Sequence, residues 1–210
     1  MLDVLVISII LAVILFVSEL LWKTKGLEGE LARKFVHIIS GVVIAFMPFF
    51  INYTWVAALG AAFMLANVVN RRVPIFHAIH SVKRKSWGDL LFGLMVIALA
   101  LLKPSKWLFA GAVLQVAVAD GFAALVGTKL KSKKYLVLGH KKTVAGTLTF
   151  VVFSVIITAF VIGAGGFNAG NLAVLVFATV LAVVENISAY GLDNLTLPLS
   201  FLLLAKLFSL

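Results

Sequence analysis

Residues 2–22, with the sequence LDVLVISIILAVILFVSELLW, form an apolar stretch long enough to cross a lipid bilayer as one helix. A helix of about 20 residues spans the hydrocarbon layer. No small-residue cleavage pattern follows the stretch, so we expect it to remain as a membrane anchor rather than to be removed as a signal. It therefore predicts an integral membrane protein.

The composition of the whole chain agrees with this prediction. Of its 210 residues, 63% are hydrophobic and 12% are charged, and the mean hydropathy is +1.16. A water-soluble domain of this size does not need so much apolar side chain. The lack of cysteine excludes disulfides and thiolate metal sites. We expect one all-α, polytopic transmembrane helix bundle over residues 1–210, with no separate soluble domain.

Eight apolar segments can be placed as membrane-spanning helices. They are 2–22, 36–51, 53–70, 88–102, 105–127, 144–164, 171–190 and 195–210. The fourth and the eighth are short for a full crossing, so the predicted number of spans is seven or eight.

The basic residues indicate how these spans are oriented. The net charge is +10, from 18 basic and 8 acidic residues. Most basic residues lie in every second connection, after the first, third and fifth spans, and seven of the eight acids lie on or near that same side. Cytoplasmic loops collect lysine and arginine, so we expect the N-terminus outside and these connections in the cytoplasm. Topology accounts for the charge, and we expect no nucleic-acid partner.

Asp120 is an acid within an apolar segment, the sequence 105–127. A carboxylate inside hydrocarbon commonly costs about 3 kcal/mol, so it usually has a function. It precedes Lys129 by nine residues, about 13 Å of helix, which places it between the cytoplasmic surface and the midplane. The small residues around it predict close helix packing. The alternative is that Asp120 forms a structural pair with a lysine or a buried histidine.

The segment after Asp120 is rich in lysine, with six lysines in residues 129–142. Lys141, Lys142 and Thr143 directly precede the sixth apolar segment, and Thr143 is a plausible helix N-cap. Two lysines at the positive end of a helix dipole favour an anion such as phosphate. The alternative is a topological lysine cluster, and the chain contains no Walker A sequence.

Two basic clusters precede other spans. Glu30, Arg33, Lys34 and His37 share one helical face by their spacing, which fits either a polar site or a solvated, salt-bridged stripe. Lys85 belongs to a cluster before the fourth span, where basic residues usually act as a topological anchor. The helix start that follows Lys85 could also hold an anion.

A polar turn separates the last two spans. It contains Glu185, Asp193 and Asn194. Carboxylate and amide oxygens of this kind suit Mg²⁺. A simple turn explains Gly191 and Pro198, but it does not explain Glu185 inside the seventh span.

Together these segments resemble the dolichol kinase/phytol kinase family of CTP-dependent lipid kinases, which also includes CTP-dependent diacylglycerol kinases. The matching pieces run in the family's order over nearly the whole chain. They are Glu30-x-x-Arg33-Lys34-x-x-His37, Lys85-Ser86-x-Gly88, Asp120-Gly121-x-Ala123-Ala124-x-x-Gly127, Lys141-Lys142-Thr143-x-x-Gly146-Thr147, and Glu185-x-x-Ser188-x-x-Gly191-Leu192-Asp193-Asn194-Leu195-x-x-Pro198. At one place the chain departs from the pattern, because Ala145 stands where the family often has a glutamate.

The resemblance implies transfer of the γ-phosphate of CTP to the hydroxyl of a membrane lipid alcohol of the dolichol or polyprenol type. We hypothesise that Asp120 and Asp193 hold Mg²⁺, with Asn194 or Glu185 assisting. The expected nucleotide and phosphate ligands are Arg33, Lys34, Lys85, Lys141, Lys142 and Thr143. The expected catalytic residues are Asp120, Glu185 and His37, with either acid as the base and His37 orienting the hydroxyl or binding nucleotide.

Two other functions fit parts of this sequence. A phosphatidate cytidylyltransferase also places CTP and Mg²⁺ at a membrane face, but that family has Lys-Asp where Lys142 is followed by Thr143. A small transporter would need polar residues through the outer half of the bundle, and the sequence there is nearly featureless. The lipid acceptor and the oligomeric state are not predicted by the sequence.

Overall fold

The computed structural model describes residues 1–24, 29–72 and 87–210, without the side chain of Glu30. Within these ranges the chain forms helices joined by short connections and one small hairpin. The helices are α1 Leu2–Lys23, α2 Gly29–Phe46, α3 Tyr53–Arg72, α4 Gly88–Leu102, α5 Lys106–Leu114, α6 Gly121–Lys129, α7 Val144–Gly165, α8 Asn171–Ile187 and α9 Asp193–Leu207. A 3₁₀ turn, Met47–Phe49, follows α2, and a π-helical segment, Gln115–Asp120, joins α5 to α6.

The prediction of an all-α bundle of apolar helices is confirmed. Five helical segments are long and apolar enough to cross a membrane: Leu2–Lys23, Leu31–Phe49, Tyr53–Arg72, Lys106–Lys129 and Val144–Gly165. Helices α4 and α8 are apolar but shorter, so the number of seven or eight spans stays a prediction. The helices do not coincide with the predicted spans at every end: α2 begins at Gly29, ahead of the span predicted from 36, and α8 ends at Ile187, before the predicted end at 190.

The lysine-rich segment is not the simple loop that the sequence suggested. It contains an antiparallel hairpin of β1, Lys134–Val137, and β2, His140–Thr143. Leu138 and Gly139 form its two-residue turn, with φ angles of +46° and +80°. Positive φ at both central residues is typical of a type I′ turn, which matches the twist of two antiparallel strands.

The segment Lys106–Lys129 is the central helix of the bundle. In its most apolar 18-residue stretch 72% is buried inside the protein, whereas the corresponding share for α1 is 17%. Helices α2, α7 and α9 pack around it, and Phe109, Val113 and Val116 are fully buried in it. Helix α1, in contrast, exposes most of its large apolar side chains, as expected of a lipid-facing helix.

Small residues bring α2 and α7 close to the central helix, as the sequence predicted. A Cβ atom on Gly41 would lie 2.3 Å from the Ala117 side chain, and one on Gly121 would lie 2.5 Å from Ile38. On the other side, a Cβ on Gly127 would lie 3.4 Å from the Cα of Gly146, across the α6–α7 contact. These contacts fix the helix ends around Asp120.

Candidate functional site

A cleft of about 1180 Å³ opens at one end of the bundle. The start of α2, the end of α6, the hairpin, the start of α7 and the α8–α9 connection line it. The predicted site residues that line this cleft are Arg33, Lys34, His37, Asp120, Lys141, Lys142, Thr143, Glu185, Asp193 and Asn194. Lys85 lies outside the described residues. The structure thus brings together segments far apart in sequence, while the role of each residue stays a prediction.

Asp120 and Lys34 form a buried ion pair on the bundle side of the cleft. Lys34 Nζ lies 2.5 Å from Asp120 Oδ2, and the two side chains are 4% and 10% exposed. The structural pairing considered from the sequence is therefore present. Such a pair holds both charges in place, because removing one partner of a buried pair leaves the other uncompensated.

Asp120 is also the last residue of the π-helical segment. Short π-helical stretches interrupt the regular i→i+4 pattern, and they frequently occur at functional sites. This segment was not predicted from the sequence. No proline marks it in the sequence, and its backbone register depends on the helices packed around it.

His37 lies at the inner end of the cleft, on the same helix as Lys34. Its Nε2 is 3.2 Å from the carbonyl oxygen of Val116. Its ring makes an edge contact with Phe92, with 4.9 Å between ring centroids. These contacts orient the imidazole, so a role in positioning a substrate is compatible with the geometry.

Lys142 on the hairpin and Glu185 near the end of α8 form a second ion pair in the cleft. Lys142 Nζ donates to a carboxylate oxygen of Glu185 and, over 3.0 Å, to the Glu185 backbone carbonyl. Tyr135, directly across the hairpin from Lys142, donates its hydroxyl to Asn186 Oδ1 over 2.5 Å and contacts Thr147. The hairpin is thus bound to the end of α8 by polar side chains.

The two faces of the hairpin differ in their environment. One face of the hairpin is half-buried. Because alternate residues of a strand and their cross-strand partners share a face, this face carries Tyr135, Val137, His140 and Lys142. Lys141 is exposed on the other face, although it also borders the cleft. The adjacent pair Lys141 and Lys142 was predicted as one phosphate site, whereas the structure points their side chains in opposite directions.

Thr143 is the N-cap of α7, as predicted, and its Oγ1 accepts from Gly146 N–H over 3.1 Å. The first backbone donors of α7 already have partners in the protein. Val144 N–H donates to the Lys133 carbonyl over 3.0 Å, and Ala145 N–H to Ser132 Oγ over 3.2 Å. These backbone N–H groups are therefore already used within the protein, and the predicted phosphate site at Lys141, Lys142 and Thr143 would depend on side chains and on the helix dipole. The lysine side chains remain as possible phosphate ligands.

The α8–α9 turn carries oxygen atoms that suit a divalent cation. Asn194 Nδ2 donates to the Gly88 carbonyl over 3.0 Å, but its buried Oδ1 has no hydrogen-bond partner in the described part of the chain. Burial raises the pKa of the Asp193 carboxyl, and the nearby charge of Asp120 raises it further. No cluster of three or more His, Asp or Glu side chains occurs among the residues described. A cation here would need the Asn194 amide oxygen and further oxygens from phosphate or water.

Two polar groupings were missed by the sequence analysis. One is the contact of Tyr135 with Asn186, which holds the hairpin against α8. The sequence feature that could have indicated the hairpin is the short strand-like stretch before Leu138 and Gly139. The other is Gln115, fully buried, whose Nε2 donates to Thr158 Oγ1 over 3.2 Å. Ser154 and Thr158 are one turn apart on α7, and that spacing could have indicated a polar stripe.

Comparison with known proteins supports the resemblance seen in the motifs. The chain is 34% identical over 204 residues to a phytol kinase of Synechocystis, covering 93% of this chain and 86% of that protein. It is 26% identical over 206 residues to an uncharacterised protein of Rickettsia prowazekii, covering 89% of this chain and 98% of that one. No family model matches the chain, and no solved structure matches it.

Proposed function

The chain belongs to the phytol kinase/dolichol kinase-type family of lipid-alcohol kinases, and we propose that it transfers the γ-phosphate of CTP to the hydroxyl of an isoprenoid alcohol. The similarity to a phytol kinase supports a lipid alcohol as the acceptor. CTP as the donor and a dolichol- or polyprenol-type acceptor follow the family resemblance of the motifs. Phytol is the first acceptor to test, because the relative is named for it.

The observation that carries this proposal is the charge of the cleft. Eight lysine and arginine side chains and three carboxylates line it. A nucleoside triphosphate carries several negative charges, and phosphoryl transfer depends mainly on positioning the groups and neutralising those charges. An excess of cations around a few carboxylates is the arrangement that this reaction requires.

The residues of the cleft can be assigned to the reaction as follows. Arg33, Lys34 and Lys142 bind the phosphates, and His37 orients the acceptor hydroxyl. The hydroxyl oxygen attacks the γ-phosphorus, the bond between that phosphorus and the β–γ bridging oxygen breaks, and CDP leaves. We assign the hydroxyl proton to Glu185, because Asp120 belongs to the proposed cation site.

Mg²⁺ is the proposed cofactor, held by Asp120, Asp193 and Asn194. The unpartnered, buried Oδ1 of Asn194 and the raised pKa of Asp193 fit a cation beside these residues. Bound there, the cation would neutralise charge on the phosphates. We further propose that the cleft faces the cytoplasm and the N-terminus faces outward, in line with the distribution of basic residues.

A transfer assay with two labels tests the function. Purified protein is incubated with Mg²⁺, CTP labelled at either the γ- or the α-phosphate, and phytol, a polyprenol, dolichol, diacylglycerol or phosphatidate. We expect label from γ-CTP on an isoprenoid alcohol. Label from α-CTP on phosphatidate would instead show a cytidylyltransferase. If no alcohol is labelled under conditions in which a known phytol kinase is active, the proposed function is wrong.

A further inference from the structure

Two aromatic side chains meet at the border of the cleft. Tyr190, in the α8–α9 connection, and His140, the first residue of β2, make an edge contact at right angles, with 4.9 Å between ring centroids. Both line the cleft. Tyr190 is 63% exposed, so a flat aromatic surface is available to a ligand.

The backbone of Tyr190 is strained in a way that core packing does not explain. Its φ angle is +54°, in the left-handed region that residues other than glycine and asparagine rarely adopt. Its carbonyl accepts from Trp87 N–H over 3.0 Å, which holds the turn in place. Glycine would satisfy this turn with less strain, and the exposed ring adds little to the core. Strained residues of this kind cluster at functional sites.

The ring pair lies close to the proposed phosphate ligands. His140 and Lys142 are two residues apart on the same face of β2, about 7 Å along the strand. Lys142 binds Glu185 near the end of α8, and Glu185 precedes Tyr190 by five residues. If the triphosphate binds at Lys142, the distance along β2 accommodates the ribose, and the base can then reach the rings of His140 and Tyr190.

We propose that Tyr190, oriented by His140, binds the nucleobase of the triphosphate donor by stacking. This inference rests on the proposed function, because it assumes a nucleotide in the cleft. Any base offers a flat face to an aromatic ring, and such stacking contributes substantially to binding in other proteins. The inference adds a base-binding surface to a site whose other assigned residues act on phosphate or on the acceptor.

Two substitutions at Tyr190 separate the ring from the backbone. Tyr190→Gly suits the left-handed turn but removes the ring, whereas Tyr190→Phe retains the ring. We expect Tyr190→Gly to raise both the KM for CTP and the Kd for labelled CTP in equilibrium dialysis by about tenfold. Its kcat should stay within about twofold, because the reacting atoms are elsewhere. Tyr190→Phe should behave like the unsubstituted protein.

Inorganic triphosphate supplies the decisive control, since it has no base. Its inhibition constant against CTP should be the same in Tyr190→Gly and in the unsubstituted protein. Ile187→Ala, at an exposed residue three positions before Tyr190 that does not line the cleft, should leave the KM for CTP unchanged. A merely structural role for Tyr190 would weaken CTP and triphosphate equally, or would change neither, and either result overturns the inference.

The failure of this inference is distinguishable from failure of the proposed function. Turnover with an unchanged KM and Kd for CTP in Tyr190→Gly would overturn only the base-binding surface. Ring-dependent binding of CTP without phosphate transfer to any alcohol would overturn only the proposed function.

Discussion

The two sides of the cleft are built in different ways, although each presents a lysine paired with a carboxylate. On the bundle side, Lys34 and Asp120 lie on helices so closely packed that a Cβ on Gly121 would meet Ile38 at 2.5 Å. On the hairpin side, Lys142 and Tyr135 attach a two-stranded appendage to α8 through polar contacts. The hairpin's other face leaves large apolar side chains such as Leu136 exposed.

This difference teaches that similar ion pairs in one site can have different structural consequences. The bundle-side pair is part of the core, so changing one member should affect both the stability and the chemistry of the protein. On the hairpin side Glu185 is itself buried, but Lys142 and Tyr135 are half-buried and lie on the appended hairpin. Changing these two residues should therefore affect the chemistry more than the stability of the helices. Substitutions at Asp120, Lys142 and Tyr135 test this distinction.

The largest effect is expected from Asp120→Asn. The substitution removes the proposed cation ligand and leaves the Lys34 charge buried without its partner. We expect CTP-dependent lipid phosphorylation to be abolished, and the free energy of unfolding in detergent to fall by about 3 kcal/mol. The protein should still insert and fold. Phosphate transfer and thermal unfolding are measured on the same preparation.

A double variant separates the two consequences. Lys34→Met with Asp120→Asn removes both charges, and replacing a whole buried pair by uncharged side chains is often nearly neutral for stability. We expect the melting temperature to recover and activity to remain absent. Full activity in either variant would show that Asp120 has only a structural role.

The next largest effect is expected from Lys142→Gln. Lys142 faces Glu185 within the cleft, while Lys141 is exposed on the opposite face of β2. Loss of a cation that stabilises transferring phosphate should reduce kcat/KM by about a hundredfold. Lys141→Gln removes the same charge from the adjacent residue and should change kcat/KM by less than about threefold. Equal losses in the two variants would indicate that net loop charge, rather than the position of Lys142, supports activity.

The sequence predicted the parts of this protein that depend on local chemistry. Helix α7 begins at Val144 with Thr143 as its cap, as expected, because a threonine before an apolar run satisfies backbone donors wherever the helix packs. Ten of the residues predicted for the site also line one cleft, because charges are costly in an apolar bundle and therefore stand out.

The partners of these residues could not be predicted, because they depend on tertiary packing. Lys34 and Asp120 are 86 residues apart in the sequence. The spacing of residues along one helix does not show which residues of another helix they will contact. The hairpin was missed because 134–143 shows no alternation between polar and apolar residues: 135–138 are the continuous run Tyr-Leu-Val-Leu, and 140–143 are all polar. Because the hairpin folds back on α7, Ser132 and Lys133 accept hydrogen bonds from the first backbone N–H groups of α7. The N-cap pattern alone could not reveal these partners.

The smallest effect compares two tyrosine hydroxyls, one in each region. Tyr135→Phe removes the hydroxyl that binds Asn186 and contacts Thr147, so the hairpin should be less well positioned. We expect kcat/KM to fall by about fivefold, the equivalent of one hydrogen bond, with an unchanged melting temperature. Hydrogen exchange in 134–143 should become faster, because the hairpin depends on this contact.

Tyr53→Phe is the matched control, because its hydroxyl donates to the Pro104 carbonyl over 2.5 Å and thereby joins the start of α3 to the α4–α5 connection, and neither residue lines the cleft. Removing this hydroxyl should lower the free energy of unfolding by about 1 kcal/mol and leave kcat/KM unchanged. The two variants should therefore show opposite patterns of stability and activity. If Tyr135→Phe instead lowers the melting temperature as much as Tyr53→Phe does, the hairpin belongs to the cooperative core and the distinction between the two sides of the cleft fails.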